Sequence, residues 1–136
     1  MGSQKTLTFT RERDWSNAAA TDLKRIAAAS EQDIADWQEL VASGVFCMER
    51  IDLDAEPIGH LIWSIEDEPS RRVIAINAMG CKPVRGVSLA DQAHRFAKAQ
   101  AKIHGCNVVR FWTEREGLRR KLQGHFKTMY VMEQQL

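Results

Sequence analysis

Residues 73–79, Val-Ile-Ala-Ile-Asn-Ala-Met, form a nearly unbroken apolar run, and a short loop separates it from a strong helix start at Ser88. Alternating apolar and polar side chains mark a strand with one wet face, whereas a continuous run marks a central strand covered on both. Behind the loop, Ser88 is a good N-cap with Asp91 three residues on. The helix that follows carries Leu89, Ala93, Phe96, Ala97 and Ile103 on one face and stops at Gly105. A covered strand that feeds directly into an amphipathic helix requires a layered architecture of sheet and helices.

Two strand-like runs precede the central one. Val45–Asp52 is closed by Asp54-Ala55-Glu56-Pro57, and Ile58–Glu66 by Asp67-Glu68-Pro69-Ser70. Connections this short predict an antiparallel meander of the three. Further upstream, Lys5–Arg11 alternates, with Leu7 and Phe9 on one face, and reads as a short half-buried strand. The alanine-rich stretch Ser16–Ala29 places Ala19, Leu23, Ile26 and Ala27 at helical spacing. Ser30 with Asp33 then opens a second helix, striped by Ile34, Trp37, Leu40 and Val41 and ended by Gly44. Downstream, Asn107–Thr113 reads as a strand. Thr113 with Glu116 caps a short basic helix carrying Leu118 and Leu122, and Phe126–Glu133 reads as the last strand. The order is β-α-α-β-β-β-α-β-α-β, with no repeat or linker, so a single domain spans residues 1–136.

Composition narrows the setting. A chain of 136 residues supports one sizeable core. Nineteen basic against eighteen acidic side chains leave a net charge of +1, which gives no reason to invoke nucleic acid, an anionic membrane or an acidic partner. Cys47, Cys81 and Cys106 are odd in number and widely spaced, which argues against a disulfide scaffold or zinc ribbon and for a reducing cytosol. No apolar region follows Met1, and no run approaches the roughly 20 residues a membrane span needs. The sequence predicts a soluble, cytoplasmic domain.

The element order, together with residues 73–104, resembles the GNAT superfamily of N-acetyltransferases over essentially the whole chain. In that family a central strand splays from its neighbour and hands over to a loop of the form Gln/Arg-x-x-Gly-x-Gly/Ala that opens a long helix. Here the loop is Pro83-Val84-Arg85-Gly86-Val87-Ser88, followed by Leu89-Ala90. The resemblance implies an α/β (α+β) fold with a mixed, mostly antiparallel central sheet and helices on both faces. It also implies acetyl-CoA as cofactor. The pyrophosphate would sit on the backbone donors of Arg85, Gly86, Val87, Ser88, Leu89 and Ala90, where a helix N-terminus favours an anion and Arg85 adds a full charge. Ala78, Met79 and Gly80 would offer backbone partners to the pantetheine arm.

The chain departs from the family pattern at several places. Pro83 replaces the leading polar residue, and Ser88 stands where Gly or Ala is usual. The "Gly-Phe" entry to the final strand is interrupted, as Gly124-His125-Phe126. The usual tyrosine acid is missing from 116–122, and Arg72 aligns where many relatives carry a glutamate base. Substitutes for proton transfer are Glu66 at a strand end, Glu114 just past the fifth strand, and Tyr130, the single tyrosine. His60, His94, His104 and His125 are scattered and show no metal-ligand spacing except the loose His104-Gly105-Cys106 at a helix end, so no metal is expected. Arg115, Arg119, Arg120, Lys121 and Lys127 read as a solvated basic face without the aromatic interleaving of a nucleic-acid site.

Two functions follow from the resemblance. One is direct acetyl transfer from acetyl-CoA to an amine on a small molecule or a protein. The other is a non-catalytic interaction or structural module on the same scaffold, of the kind found in bacteriophage virion and accessory proteins. An exposed final strand would offer an edge for homodimer pairing or assembly into a larger complex.

Overall fold

A computed structural model describes residues 7–26, 29–112, 127–128 and 131–136. In chain order the elements are β1 (Leu7–Glu12), α1 (Asn17–Leu23), α2 (Glu31–Ala42), β2 (Cys47–Leu53), β3 (Glu56–Glu68), β4 (Arg71–Cys81), α3 (Leu89–His104), β5 (Val108–Trp112), β6 (Lys127–Thr128) and β7 (Val131–Gln135). The expected basic helix after Thr113 lies outside the described residues, as do Ala27, Phe126 and Tyr130. No described helix is long and apolar enough to cross a membrane.

The helix starts follow the side-chain chemistry of their caps. Ser16 accepts from the Ala19 N–H at 3.1 Å. Ser30 and Asp33 form a reciprocal capping box, at 3.1 and 2.8 Å. Ser88 accepts from Asp91 N–H at 3.2 Å, and Gly105 takes the left-handed conformation (φ 69°) that closes α3. One expected member of the α3 stripe is misplaced: Ile103 is 70% exposed. The buried stripe runs Ala93, Phe96, Ala97, Ala101, and at 100° per residue Ile103 falls nearly opposite Ala101. The helix start at Asn17 agrees with the alanine-rich reading, but α1 ends at Leu23 rather than Ala29.

The strands form one sheet in the order β1-β2-β3-β4-β5-β7-β6. β1 and β2 are antiparallel from Leu7↔Leu53 to Glu12↔Met48. β4 and β5 are parallel from Val73↔Val108 to Ile76↔Phe111, and β5 and β7 antiparallel from Val108↔Gln135 to Trp112↔Val131. The sequence reading of one last strand at Phe126–Glu133 is therefore corrected to two short strands, of which β7 extends through Glu133 and Gln134. β7 lies between β5 and β6, so the edge on this side of the sheet is β6, Lys127–Thr128, the first part of the strand expected at Phe126–Glu133.

The β3–β4 hairpin carries a local irregularity. Arg71 and Glu68 (2.6 Å), then Arg72 and Asp67 (3.2 Å), pair across the turn at Pro69-Ser70. Continued at constant register, that pairing would bring Ile58 opposite Cys81. Instead the Lys82 N–H donates to the Ile58 carbonyl at 2.8 Å, one residue later. Asn77 still shares a face with Ser64, its hydrogen-bond partner at 2.9 Å, while Ala78 packs in a cluster with Ile62. Two successive β4 residues thus face the same side, which is a β-bulge.

The chain divides into two compact units, residues 1–62 with 78–87 and residues 63–77 with 88–136, so β3 and β4 each contribute to both. In the first unit, Ala19 and Leu23 of α1 and Ile34 and Val41 of α2 pack with Met48, Ile62 and Ala78. In the second, Val73–Ile76, Val108, Val109 and Phe111 are buried, as are Ala93, Phe96 and Ala97 of α3. Trp63 meets Phe96 there edge-on, ring centroids 6.1 Å apart.

Candidate functional site

Close packing at two glycines fixes the path of β4 toward its end. A Cβ on Gly80 would stand 2.1 Å from the Asp22 carbonyl oxygen, and one on Gly59 2.4 Å from both Cys81 Sγ and the Gly80 carbonyl oxygen. The backbone at the end of α1 therefore presses directly on β4, and β3 presses on it from beside. β4 runs on to Cys81, past Ile76, where its register with β5 ends. Of the residues singled out from sequence, Ala78 and Gly80 are buried there and Met79 is half-buried.

The loop after β4 places Arg85 and Gly86 at the surface, and Val87, Ser88, Leu89 and Ala90 are half-buried. Gly86 has φ +77°, with nothing within 4 Å of where a side chain would begin. Glycine is required there by backbone conformation, and the space beside it is open. The Ser88 oxygen takes the capping bond from Asp91 N–H, and its hydroxyl hydrogen remains able to donate. Asp91 adds a negative charge to the same first turn, which offsets part of the positive field of the helix start.

The proton-transfer candidates fall differently. Glu114 and Tyr130 lie outside the described residues. Glu66 binds Arg110 Nη1 at 2.6 Å, with its own side chain 37% exposed. Arg110 is the buried centre of a polar network: its Nη2 reaches Glu68 at 2.9 Å and its Nε reaches Glu133 at 2.6 Å. Arg71 bonds the same two carboxylates, Glu68 at 2.6 Å and Glu133 at 2.8 Å. Hydrogen bonds from Arg71 and then Arg110 hold the Glu68 carboxyl below its ordinary range. At Glu133 burial opposes ionisation, but hydrogen bonds from the same two arginines outweigh it and again lower the value. Arg72, which the sequence reading aligned with the glutamate base of many relatives, pairs with Asp67 at 3.2 Å.

Sequence reading missed a second ionisable group, on the first unit. His60 is 2% exposed; its Nδ1 lies 2.7 Å from Asp22 Oδ2 and its Nε2 2.8 Å from Glu12 Oε1. Arg50 pairs with Glu12 (3.4 Å) and Asp52 (3.0 Å), and Arg25 with Asp22 (3.7 Å). The partners of His60 are 38 and 48 residues distant in sequence, so no spacing announces them. Another buried histidine, His94, meets Gln134 Oε1 at 2.8 Å. Among the described residues, no group of three His, Cys, Asp or Glu side chains is placed to hold a metal.

This sheet order, with the parallel pair β4–β5 and α3 between those strands in the chain, is the fold of the GNAT acetyltransferases. Solved structures carry the comparison. An IAA acetyltransferase from Bacillus cereus superposes at TM-score 0.71 and 14% identity, covering 96% of this chain and 100% of that one. A GNAT family acetyltransferase from Elizabethkingia anophelis with acetyl-CoA bound gives TM-score 0.72 at 11% identity, with 96% and 99% coverage. A chain of the NatC complex bound to Gag peptide and CoA gives 0.68 at 15% identity, with 96% and 99% coverage. No family model matches the sequence, and no curated protein matches it.

Proposed function

We propose that the protein is an acyl-CoA-dependent N-acetyltransferase that moves acetyl directly from acetyl-CoA to an amine on a small molecule or a protein. The observation that carries this reading is the behaviour of β4, which outruns its register with β5 after Ile76 and continues to Cys81. A strand end beyond its partner offers backbone N–H and C=O groups to an extended ligand. The amides of a pantetheine arm fit Ala78, Met79 and Gly80 in that way. Next along the chain, open space beside Gly86 and the N-terminus of α3 suit a diphosphate, held by the backbone from Gly86 to Ala90 and by the charge of Arg85.

Acetyl-CoA supplies an activated acetyl thioester when bound. The chain's own tasks are to align the amine with it, take a proton from that amine, and return one to the departing sulfur. Glu66 and Glu114 are the candidate bases, and the Tyr130 hydroxyl the candidate donor. Glu66 suits the role through its exposure, with Arg110 Nη1 2.6 Å from its carboxylate.

A non-catalytic module on the same scaffold is the second reading. It is favoured by Arg72, paired with Asp67 at the position where relatives carry a glutamate. Calorimetric titration of the full chain with acetyl-CoA separates the two. Roughly micromolar binding, weakened about tenfold by Arg85→Glu, supports the transferase. No heat and no thermal stabilisation at millimolar acetyl-CoA would reject it in favour of the module.

A further inference from the structure

A neutral imidazole has one N–H and one lone pair, and an ionised carboxylate only accepts. His60 faces a carboxylate oxygen at hydrogen-bond distance on each ring nitrogen, Asp22 at 2.7 Å and Glu12 at 2.8 Å. A neutral ring between two ionised carboxylates satisfies one of these contacts and sets a lone pair against an oxygen in the other. At 2% exposure, water does not replace the missing bond. Both contacts are made only when the three groups carry one further proton, on the ring or on a carboxyl.

We propose that Glu12, His60 and Asp22 hold one proton in common, and that His60 is thereby a positioning residue tying the end of α1 to β4 at Gly80. The surrounding charges agree. Three carboxylates (Glu12, Asp22 and Asp52) face two guanidiniums, Arg25 after α1 and Arg50 on β2, which leaves the set one positive charge short. From β4, Gly80 packs on the Asp22 backbone, and the Cys81 thiol lies against Gly59, next to His60. Asp22 is thus fixed twice, by its side chain on His60 and by its backbone on the segment proposed to hold pantetheine. When the shared proton leaves, repulsion at His60 loosens the first of these anchors. The folded chain holds a proton that the unfolded chain releases, so the stability it contributes is lost as pH rises.

The test is the melting temperature of the full chain from mildly acidic to mildly alkaline pH, in the wild type and in Glu12→Gln. A glutamine amide donates to Nε2 while the Nδ1 proton goes to Asp22, satisfying both contacts without the extra proton. The wild type is expected to lose on the order of 5 °C more than Glu12→Gln as pH rises. Superimposable pH curves would overturn the shared proton. His60→Phe, if it folds, is expected to melt lower and to lose the same pH-dependent limb; keeping the limb would count against the proposal. Acetyl-CoA titration across the same range reads the positioning role, which rests on the transferase reading. Binding should weaken with rising pH severalfold in the wild type and less in Glu12→Gln; equal dependence would overturn that role. If acetyl-CoA does not bind at any pH, the transferase reading and the positioning role fall, while the melting curves still decide the proton.

Discussion

Gly80 and Gly86 stand in one short stretch of chain and are glycine for different reasons. Gly80 has no room: its missing side chain would meet the backbone of Asp22 at 2.1 Å. Gly86 has room but a left-handed backbone, φ +77°. Gly80→Ala should therefore cost on the order of 2 kcal/mol or more, because backbone must move. Gly86→Ala should cost only about 1 kcal/mol, for the conformation alone. Urea unfolding of both variants checks the order; equal losses would contradict it. Sequence showed Gly86 through its place in the loop motif. It could not show why Gly80 is glycine, since the constraint comes from α1, far upstream. The same distance hid the Glu12–His60–Asp22 group, and Glu66 was legible as a carboxylate at a strand end but not as a partner of Arg110.

Among elements, those with local chemistry at their ends were readable. Ser16, Ser30 and Ser88 each cap the helix that follows through a bond to the N–H three residues on. Ser88→Ala should lower stability by about 1 kcal/mol, measurable as a shifted denaturation midpoint with an unchanged slope. Ends decided by tertiary partners were not readable. The polar run Glu133-Gln134 looks like the finish of a strand, yet β7 continues through it because Glu133 bonds Arg71 and Arg110 and Gln134 bonds His94. Alanine content alone would carry α1 to Ala29, but beyond Leu23 the bonds shorten to three-residue turns, from Arg25 to Asp22 and from Ile26 to Leu23. The bulge in β4 likewise has no sequence signal, since both flanking residues, Asn77 and Ala78, are compatible with a regular strand.

For the molecule as a whole, the Arg71–Arg110 network sets the response to acid. Glu68 and Glu133 are held below the ordinary carboxylate range, so their contribution is present above that range and is lost as pH falls through their lowered values. The wild type should lose melting temperature toward strongly acidic pH. Glu133→Gln should be less stable at neutral pH and flatter on that acid limb, and a limb as steep as the wild type's would contradict the assignment. The fold class was legible because hairpin turns, caps and the covered central strand all act over a few residues. The polar network was not, because it joins β3, β4, β5 and β7 across more than forty residues of chain.

The same topology sets an order in time. Closing a two-residue turn is fast, on the order of microseconds, so the β3–β4 hairpin can assemble early from neighbouring residues. β5 can join β4 only after the whole of α3 has been traversed, because parallel strands need a crossover. Until it does, the inner edge of β4 is open and apolar. That interval is when a newly made chain is most exposed to capture by the strand of another copy.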